Sequence, residues 1–220
     1  MLGSGSLSSA VVAALWSVFD ELVQQATLDV EAVSSARRLY SELTGTVEPS
    51  HELFVPRSDA FVEWFLLEHR DVFGQTPVQR RLSTMAPDDK TRPHLLALRA
   101  SYRSLFQLRG LKPKQIVLDD LIGGGRFLVE DNRFFLEITS DDLFEARLIP
   151  IPGFCPALCL GRALQFHPKE AAHAVLTLVQ EDLARGKTRT DLLARLARLR
   201  VRASAYRHMF AARVYSQTAG

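Results

Sequence analysis

The sequence predicts an α+β protein in three consecutive parts: a helical region over residues 1–103, a small antiparallel β sheet or barrel over 104–166, and a C-terminal helical pair over 167–220. Three observations predict it. Apolar residues recur with a helical period in the first and last parts. The middle carries short runs rich in Val, Ile, Leu and Phe, with turn residues at spacings of roughly ten. The 220 residues are 47% hydrophobic and 24% charged, enough apolar material for one sizeable core or two small ones. That composition excludes a collagenous, disulfide-stapled or wholly disordered chain.

In the helical region, Ser8 or Ser9 caps a helix whose Val12, Leu15, Phe19, Leu22 and Ala26 form one stripe, widened by Trp16 and Val23. A second helix is expected from about Asp29 to Leu43, ended by Gly45. After a loop containing Glu48, Pro49 and Pro56, Ser58 or Asp59 caps a third helix. Its Phe61, Val62, Trp64, Phe65 and Leu66 predict burial on most sides. Short helices near Pro77–Thr84 and Pro93–Arg103 complete the region.

The middle part predicts strands at Leu105–Arg109, Ile116–Ile122, Arg126–Glu130, Phe134–Ile138, Leu143–Ile149 and Leu158–Phe166. Links of hairpin length between them exclude a parallel doubly wound sheet, which needs crossover helices. Helical period returns at Pro168, with Ala171, Ala172, Val175, Leu176, Val179 and Leu183, and stops at Gly186. A last helix starts at Thr188 or Thr190 and is expected to reach about Ser216.

The near-neutral total of +2 hides a strong asymmetry. From Lys187 onward eight basic residues face one acid, Asp191, a net +7 that leaves −5 for the rest of the chain. In the last helix, Leu192, Leu196, Leu199, Ala203, Tyr206 and Phe210 alternate at four and three residues, as in a coiled-coil seam. Arginines flank the seam, and the small residues Ala194, Ala197, Val201, Ser204, Ala205, Ala211 and Ala212 offer a second contact face. Two readings compete: a helix that binds an acidic protein partner, a second copy or a phosphate backbone, and a helix that packs on its own chain with its arginines paired locally. Exposed aromatics interleaved with the basic residues, usual in nucleic-acid modules, are missing from the pattern.

The candidate chemical sites are weak. Gly123-Gly124-Gly125 lacks the Lys-Ser/Thr pair of a phosphate loop and precedes a strand, so it reads as a hairpin turn. Asp119-Asp120 and Asp141-Asp142 send neighbouring carboxylates to opposite faces of a strand. Glu170 and His173 share the three-residue spacing of a helical metal site, but no second helical pair exists, and His167 and Glu170 read better as features of a helix start. Cys155 and Cys159 are expected to be core thiols, and His69 a structural residue at a helix end. There is no Gly-x-Ser-x-Gly elbow and no recognisable cysteine nucleophile.

Four segments, Phe-Val-Glu-Trp-Phe (61–65), Ser-Leu-Phe-Gln-Leu (104–108), Val-Leu-Asp-Asp-Leu-Ile-Gly-Gly (117–124) and Asp-Leu-Phe-Glu-Ala-Arg-Leu-Ile-Pro (142–150), resemble a pattern in uncharacterised bacterial proteins. There a helical segment precedes a small β module with an Asp-Leu-x-x-Gly hairpin. Some of those proteins carry a zinc motif like that of the SecA C-terminus, which this chain lacks, so the resemblance implies a fold over about residues 60–165 and no metal.

The expected function is that of a non-enzymatic adaptor or regulatory protein acting through protein–protein contacts. Arg195, Arg198, Arg200, Arg202 and Arg207 are the expected partner-binding residues. No catalytic, cofactor-binding or metal-ligating residue is assigned. The alternatives are a metal-dependent protein with a site near Glu170 and His173, and non-specific nucleic-acid association through the basic helix. The N-terminal Gly/Ser tract has no basic n-region, and Asp20 and Glu21 interrupt the apolar stretch after it; neither a secretory signal nor a membrane span is expected, and the expected location is cytoplasmic.

Overall fold

The structure, a computed structural model, describes residues 4–112, 115–130, 139, 142–205 and 210–216, with only the backbone of 4–8. Five helices come first: α1 (Ser4–Ala26), α2 (Val30–Thr44), α3 (Phe54–Leu67), α4 (Pro77–Ser83) and α5 (Arg92–Ala100). The strands are β1 (Tyr102–Lys112), β2 (Gln115–Asp120), β3 (Arg126–Glu130), β4 (Leu143–Pro150), β5 (Leu158–Leu160) and β6 (Gln165–Phe166). A 3₁₀ turn (Lys169–Ala171) leads into α6 (Ala172–Ala184), α7 (Arg189–Ala205) and α8 (Ala211–Ser216). The predicted α+β class is what is found.

The strands close a five-stranded barrel. Pairing runs β1-β2-β3-β5-β4 and returns from β4 to β1, with β6 added to β4 beyond β5. All pairs are antiparallel except β3 with β5. Period-2 alternation then sorts the side chains. Phe106, Leu108, Leu118, Val129, Phe144, Ala146 and Leu148 fill the interior. On the outer face of β1 and β4, Leu105 and Leu143 pack with α6, α7 and α8, while Ile149 joins α1 to α5. The helices before and after the barrel therefore cover one side of it together. Burial of α3 on most sides holds, with Ala60, Phe61, Trp64, Phe65 and Leu66 all in the core.

Several boundaries differ from the sequence pattern, each for a local reason. Helix α1 begins at Ser4, ahead of the expected cap. Helix α3 starts at Phe54 rather than Ser58 or Asp59, with Pro56 in its first turn, where a missing N–H has no intrahelical acceptor to lose. Helix α5 stops at Ala100, because Tyr102 and Arg103 pair with Leu148 and Arg147 of β4. The single strand expected over 158–166 is broken between β5 and β6, since the N–H groups of Arg162 and Ala163 turn to the Glu63 carboxylate of α3 instead of the ladder. The last helix is two: α7 ends at Ala205, and α8 folds Ala211, Val214 and Tyr215 back into the C-terminal core. A continuous helix would run on the order of 40 Å and carry those side chains away from it. The strand expected at Phe134–Ile138, Tyr206 of the expected seam and Arg207 beside it lie outside the described residues, and Phe210, the last residue of the expected seam, is exposed because α7 has already ended.

Candidate functional site

The basic helix sits inside the fold. Leu192, Leu196, Leu199 and Ala203 enter the C-terminal core, as a packed seam requires. The small-residue face also finds a neighbour, α2: a Cβ added at Gly45 would stand 3.4 Å from Val201 Cγ1. Three of the five arginines each tie α7 to a different element. Arg195 Nη1 lies 2.6 Å from both carboxylate oxygens of the buried Asp182 on α6. Arg198 Nη2 donates to the carbonyls of Glu42 (2.7 Å) and Leu43 (2.9 Å) at the end of α2. Arg200 donates to Gln165 Oε1 on β6, and Gln165 Nε2 in turn donates to the Pro56 carbonyl on α3. Burial pushes the Arg200 pKa down, against the pull of Glu145. Arg202 is exposed, and Arg207 lies outside the described residues.

Arg198 acts with Arg57 of α3, whose guanidinium donates to the carbonyls of Thr44 (3.2 Å) and Gly45 (2.6 Å). A helix leaves its last carbonyls without intrahelical donors and with partial negative charge. Two arginines from two different helices satisfy those of α2.

Between the two helical layers lies a buried ionic seam. Arg103 and Arg147 face each other across the β1–β4 pair, both on the outer face. Glu63 of α3, Glu68 just after its end and Glu145 of β4 compensate them: Glu63 Oε2 is 3.4 Å from Arg147 Nε, Glu68 binds Arg147 Nη2, and Glu145 Oε2 is 3.9 Å from Arg103 Nη1. Burial raises the Glu63 pKa, with Arg147 and the N–H groups of Ala163 and Arg162 pulling against it. For Glu68, burial pulls upward but Arg103 and Arg147 prevail and hold the pKa low. His167 is part of this seam rather than a helix-start feature. Its Nδ1 meets the Tyr215 hydroxyl at 2.9 Å and its Nε2 lies 3.5 Å from Glu145 Oε1, because its backbone N–H pairs with the Leu143 carbonyl and turns the ring inward. Glu63, Glu145, Arg147 and His167 are all buried, so the seam joins the layers from within.

An open groove of about 960 Å³ lies at the far end of the N-terminal layer. Its floor is formed by Leu22, Ala26, Phe65 and Pro77, and its two rims by the α1–α2 turn and the α3–α4 loop. Of the five most exposed large apolar residues among those described, Val72 (94%) and Phe73 (85%) line the groove, and Leu28 (82%) and Val30 (72%) lie beside it at the α1–α2 turn. Leu28 and Val30 stand on either side of Asp29, a lining residue. The α3–α4 loop is rigidly built. Asp71 Oδ1 accepts from the N–H groups of Phe73 and Gln75, both at 2.9 Å, Asp71 binds Arg80, and Arg70 Nη1 donates to the Gly74 carbonyl at 2.6 Å. These bonds, led by the Gln75 N–H, hold the Asp71 pKa low. Gly74 closes the turn at φ +73°, where only glycine is unstrained. Val72 and Phe73 are thus presented to solvent by a fixed turn. The sequence signal was Asp71-Val-Phe-Gly74, two apolar residues between turn formers, which the helical reading passed over. His69 packs at a tilt against Trp64 with ring centroids 4.8 Å apart, and burial lowers its pKa.

The remaining candidates separate. In the Gly123 turn, Asp120 Oδ1 accepts from the N–H groups of Ile122 (3.0 Å) and Gly123 (2.9 Å), so a carboxylate of the chain's own occupies the place of a phosphate. Asp119 points the other way, to Arg109 and Arg126, whose hydrogen bonds hold its carboxyl at about 2. Asp142 is buried and accepts from the Thr139 N–H, and Asp141 lies outside the described residues. Glu170 and His173 are both exposed, one on the 3₁₀ turn and one on α6. Among the described residues no group of three or more His, Cys, Asp and Glu side chains is placed to hold a metal ion. Cys159 is a core thiol as expected, whereas Cys155 is exposed on the turn before β5. Among the described residues no helix is long and apolar enough to cross a membrane.

Residues 49–190 match the model of a family of unknown function, DUF7986. No curated protein and no solved structure matches the chain.

Proposed function

The chain belongs to DUF7986, a family to which no activity is attached, and from its geometry we propose that it is a non-enzymatic adaptor that captures a polypeptide partner in the groove between the α1–α2 turn and the α3–α4 loop. One observation carries this reading: a hydrogen-bonded turn holds Val72 and Phe73 at 94% and 85% exposure on the rim of an apolar groove. Keeping large apolar groups in water costs on the order of 1.5–3 kcal/mol per side chain relative to burial. Patches of this kind mark interaction sites. The basic helix supports the reading as scaffold, since Arg195, Arg198 and Arg200 are spent on α6, α2 and β6.

Affinity capture from a lysate of the source cells tests the proposal with three proteins: wild type, Val72→Ser/Phe73→Ser, and Arg198→Gln/Arg202→Gln/Arg207→Gln. A partner retained by the wild type and the arginine variant but lost by the groove variant is the expected result. Loss with the arginine variant alone returns the interface to the basic helix and overturns the groove reading.

A further inference from the structure

We infer that the occupant of the groove is an amphipathic helix with an apolar stripe, acidic side chains along one flank and basic side chains along the other. The inference rests on the docking reading above and adds the partner's chemistry. The first argument is where the apolar area lies. Enclosed small-molecule sites run to roughly 300–1,000 Å³ and bury their ligand within them. Here the groove is of that volume, yet Leu28, Val30, Val72 and Phe73 stand on and beside its rims. A small molecule on the floor leaves them in water, whereas a helix of about 10–12 Å diameter lies along the groove and covers both rims.

The second argument is charge. Along the α3–α4 loop and α4 the charged lining residues are Arg70, Arg80, Arg81 and Asp71. Asp71 and Arg80 are paired with each other, and Asp71 also holds its own turn, which leaves Arg70 and Arg81 as the excess charge on that side. Along the α1–α2 rim they are Glu31 and Asp29, the latter also capping the Ala32 N–H at the start of α2, with no cation. An apolar floor between a cationic wall and an anionic wall complements a helix that is itself divided, acidic on one side of its stripe and basic on the other. Such rim charges set orientation and selectivity, and apolar contact in the centre sets affinity.

Three synthetic peptides of about 18 residues, each with the same Leu/Phe stripe at helical spacing, test this on the intact wild-type chain by fluorescence anisotropy. One carries Glu on one flank and Lys on the other, one Glu on both, one Lys on both. The divided peptide is expected to bind at least about tenfold more tightly than either uniform one, with the preference shrinking in about 0.5 M salt. Glu31→Lys is expected to shift the preference to the all-Glu peptide, and Arg81→Glu to the all-Lys peptide. Equal affinity for all three, abolished by Val72→Ser/Phe73→Ser, overturns the divided helix while the docking reading stands. Affinity that the Val72→Ser/Phe73→Ser variant leaves unchanged, or no peptide binding above a scrambled control, overturns both. Dimerisation of the chain alone, or binding to phosphatidylcholine–phosphatidylglycerol vesicles, that requires Val72 and Phe73 assigns the groove to another occupant and overturns the inference.

Discussion

The carboxylate of Glu63 occupies the space that a side chain at Gly161 would need: a Cβ there would lie 2.6 Å from Glu63 Oε1 and 3.0 Å from Arg147 Cβ. Helix α3 reaches the barrel through this contact, and the N–H groups of Arg162 (2.6 Å) and Ala163 (3.0 Å) close on the same oxygen. Gly161→Ala must therefore displace a buried, triply held carboxylate. The expected loss is about 1–3 kcal/mol, as for other overpacked core sites, read by urea denaturation. A variant as stable as the wild type would show that α3 does not depend on this contact.

Glu63 and Glu68 give the stability opposite pH dependences. Burial raises the folded pKa of Glu63, so its contribution is greatest below its unfolded value near about 4.3 and is lost as pH rises through the folded value. Glu68 is held low by Arg103 and Arg147 against burial, so its contribution is present above the unfolded value and is lost as pH falls through the folded one. Between about pH 4 and pH 8, wild-type stability relative to Glu63→Gln is expected to fall, and relative to Glu68→Gln not to fall. Paired denaturation series at several pH values measure both slopes, and a rising Glu63 difference contradicts the assignment.

The arginines of α7 are expected to differ in proportion to what they hold. Among the described residues, Arg195→Gln leaves the carboxylate of Asp182, 1% exposed, with only Arg185 at 3.6 Å, and is expected to cost roughly 2–4 kcal/mol. Arg198→Gln removes a solvent-exposed cation from the carbonyl end of α2 and is expected to cost about 0.3–1 kcal/mol. Equal, negligible losses in thermal melts would free these side chains for a partner.

Tyr215→Phe removes the hydroxyl that His167 Nδ1 meets at 2.9 Å, in a site where burial has already raised the phenol pKa. The expected cost is about 1–3 kcal/mol, the penalty of an unsatisfied buried polar group. The His167 imidazole resonances are expected to shift with it, and a chemical-shift map with no change at His167 would rule the contact out.

At the groove the expectation is reversed. Val72→Ser/Phe73→Ser removes side chains that the fold does not bury, so stability is expected to stay within about 0.5 kcal/mol of wild type. A large loss would mean that these residues serve the fold and not a partner.

The order of the described elements, the strands around Leu105–Arg109, Ile116–Ile122, Arg126–Glu130 and Leu143–Ile149 and the packed seam of Leu192, Leu196 and Leu199 were determined by the sequence, because periodicity and turn residues act over a few positions. The arginine cluster was visible in the same way, but its partners were not. Arg198 meets carbonyls 155 and 156 residues away, and such contacts have no local signature. Likewise Glu63 reads as one polar residue in an apolar helix until the break between β5 and β6 closes on it. Tertiary structure decided which charges are buried within the chain and which apolar residues are left in water. Both follow from how two helical layers meet over one face of a closed barrel, where long-range packing outweighs local preference.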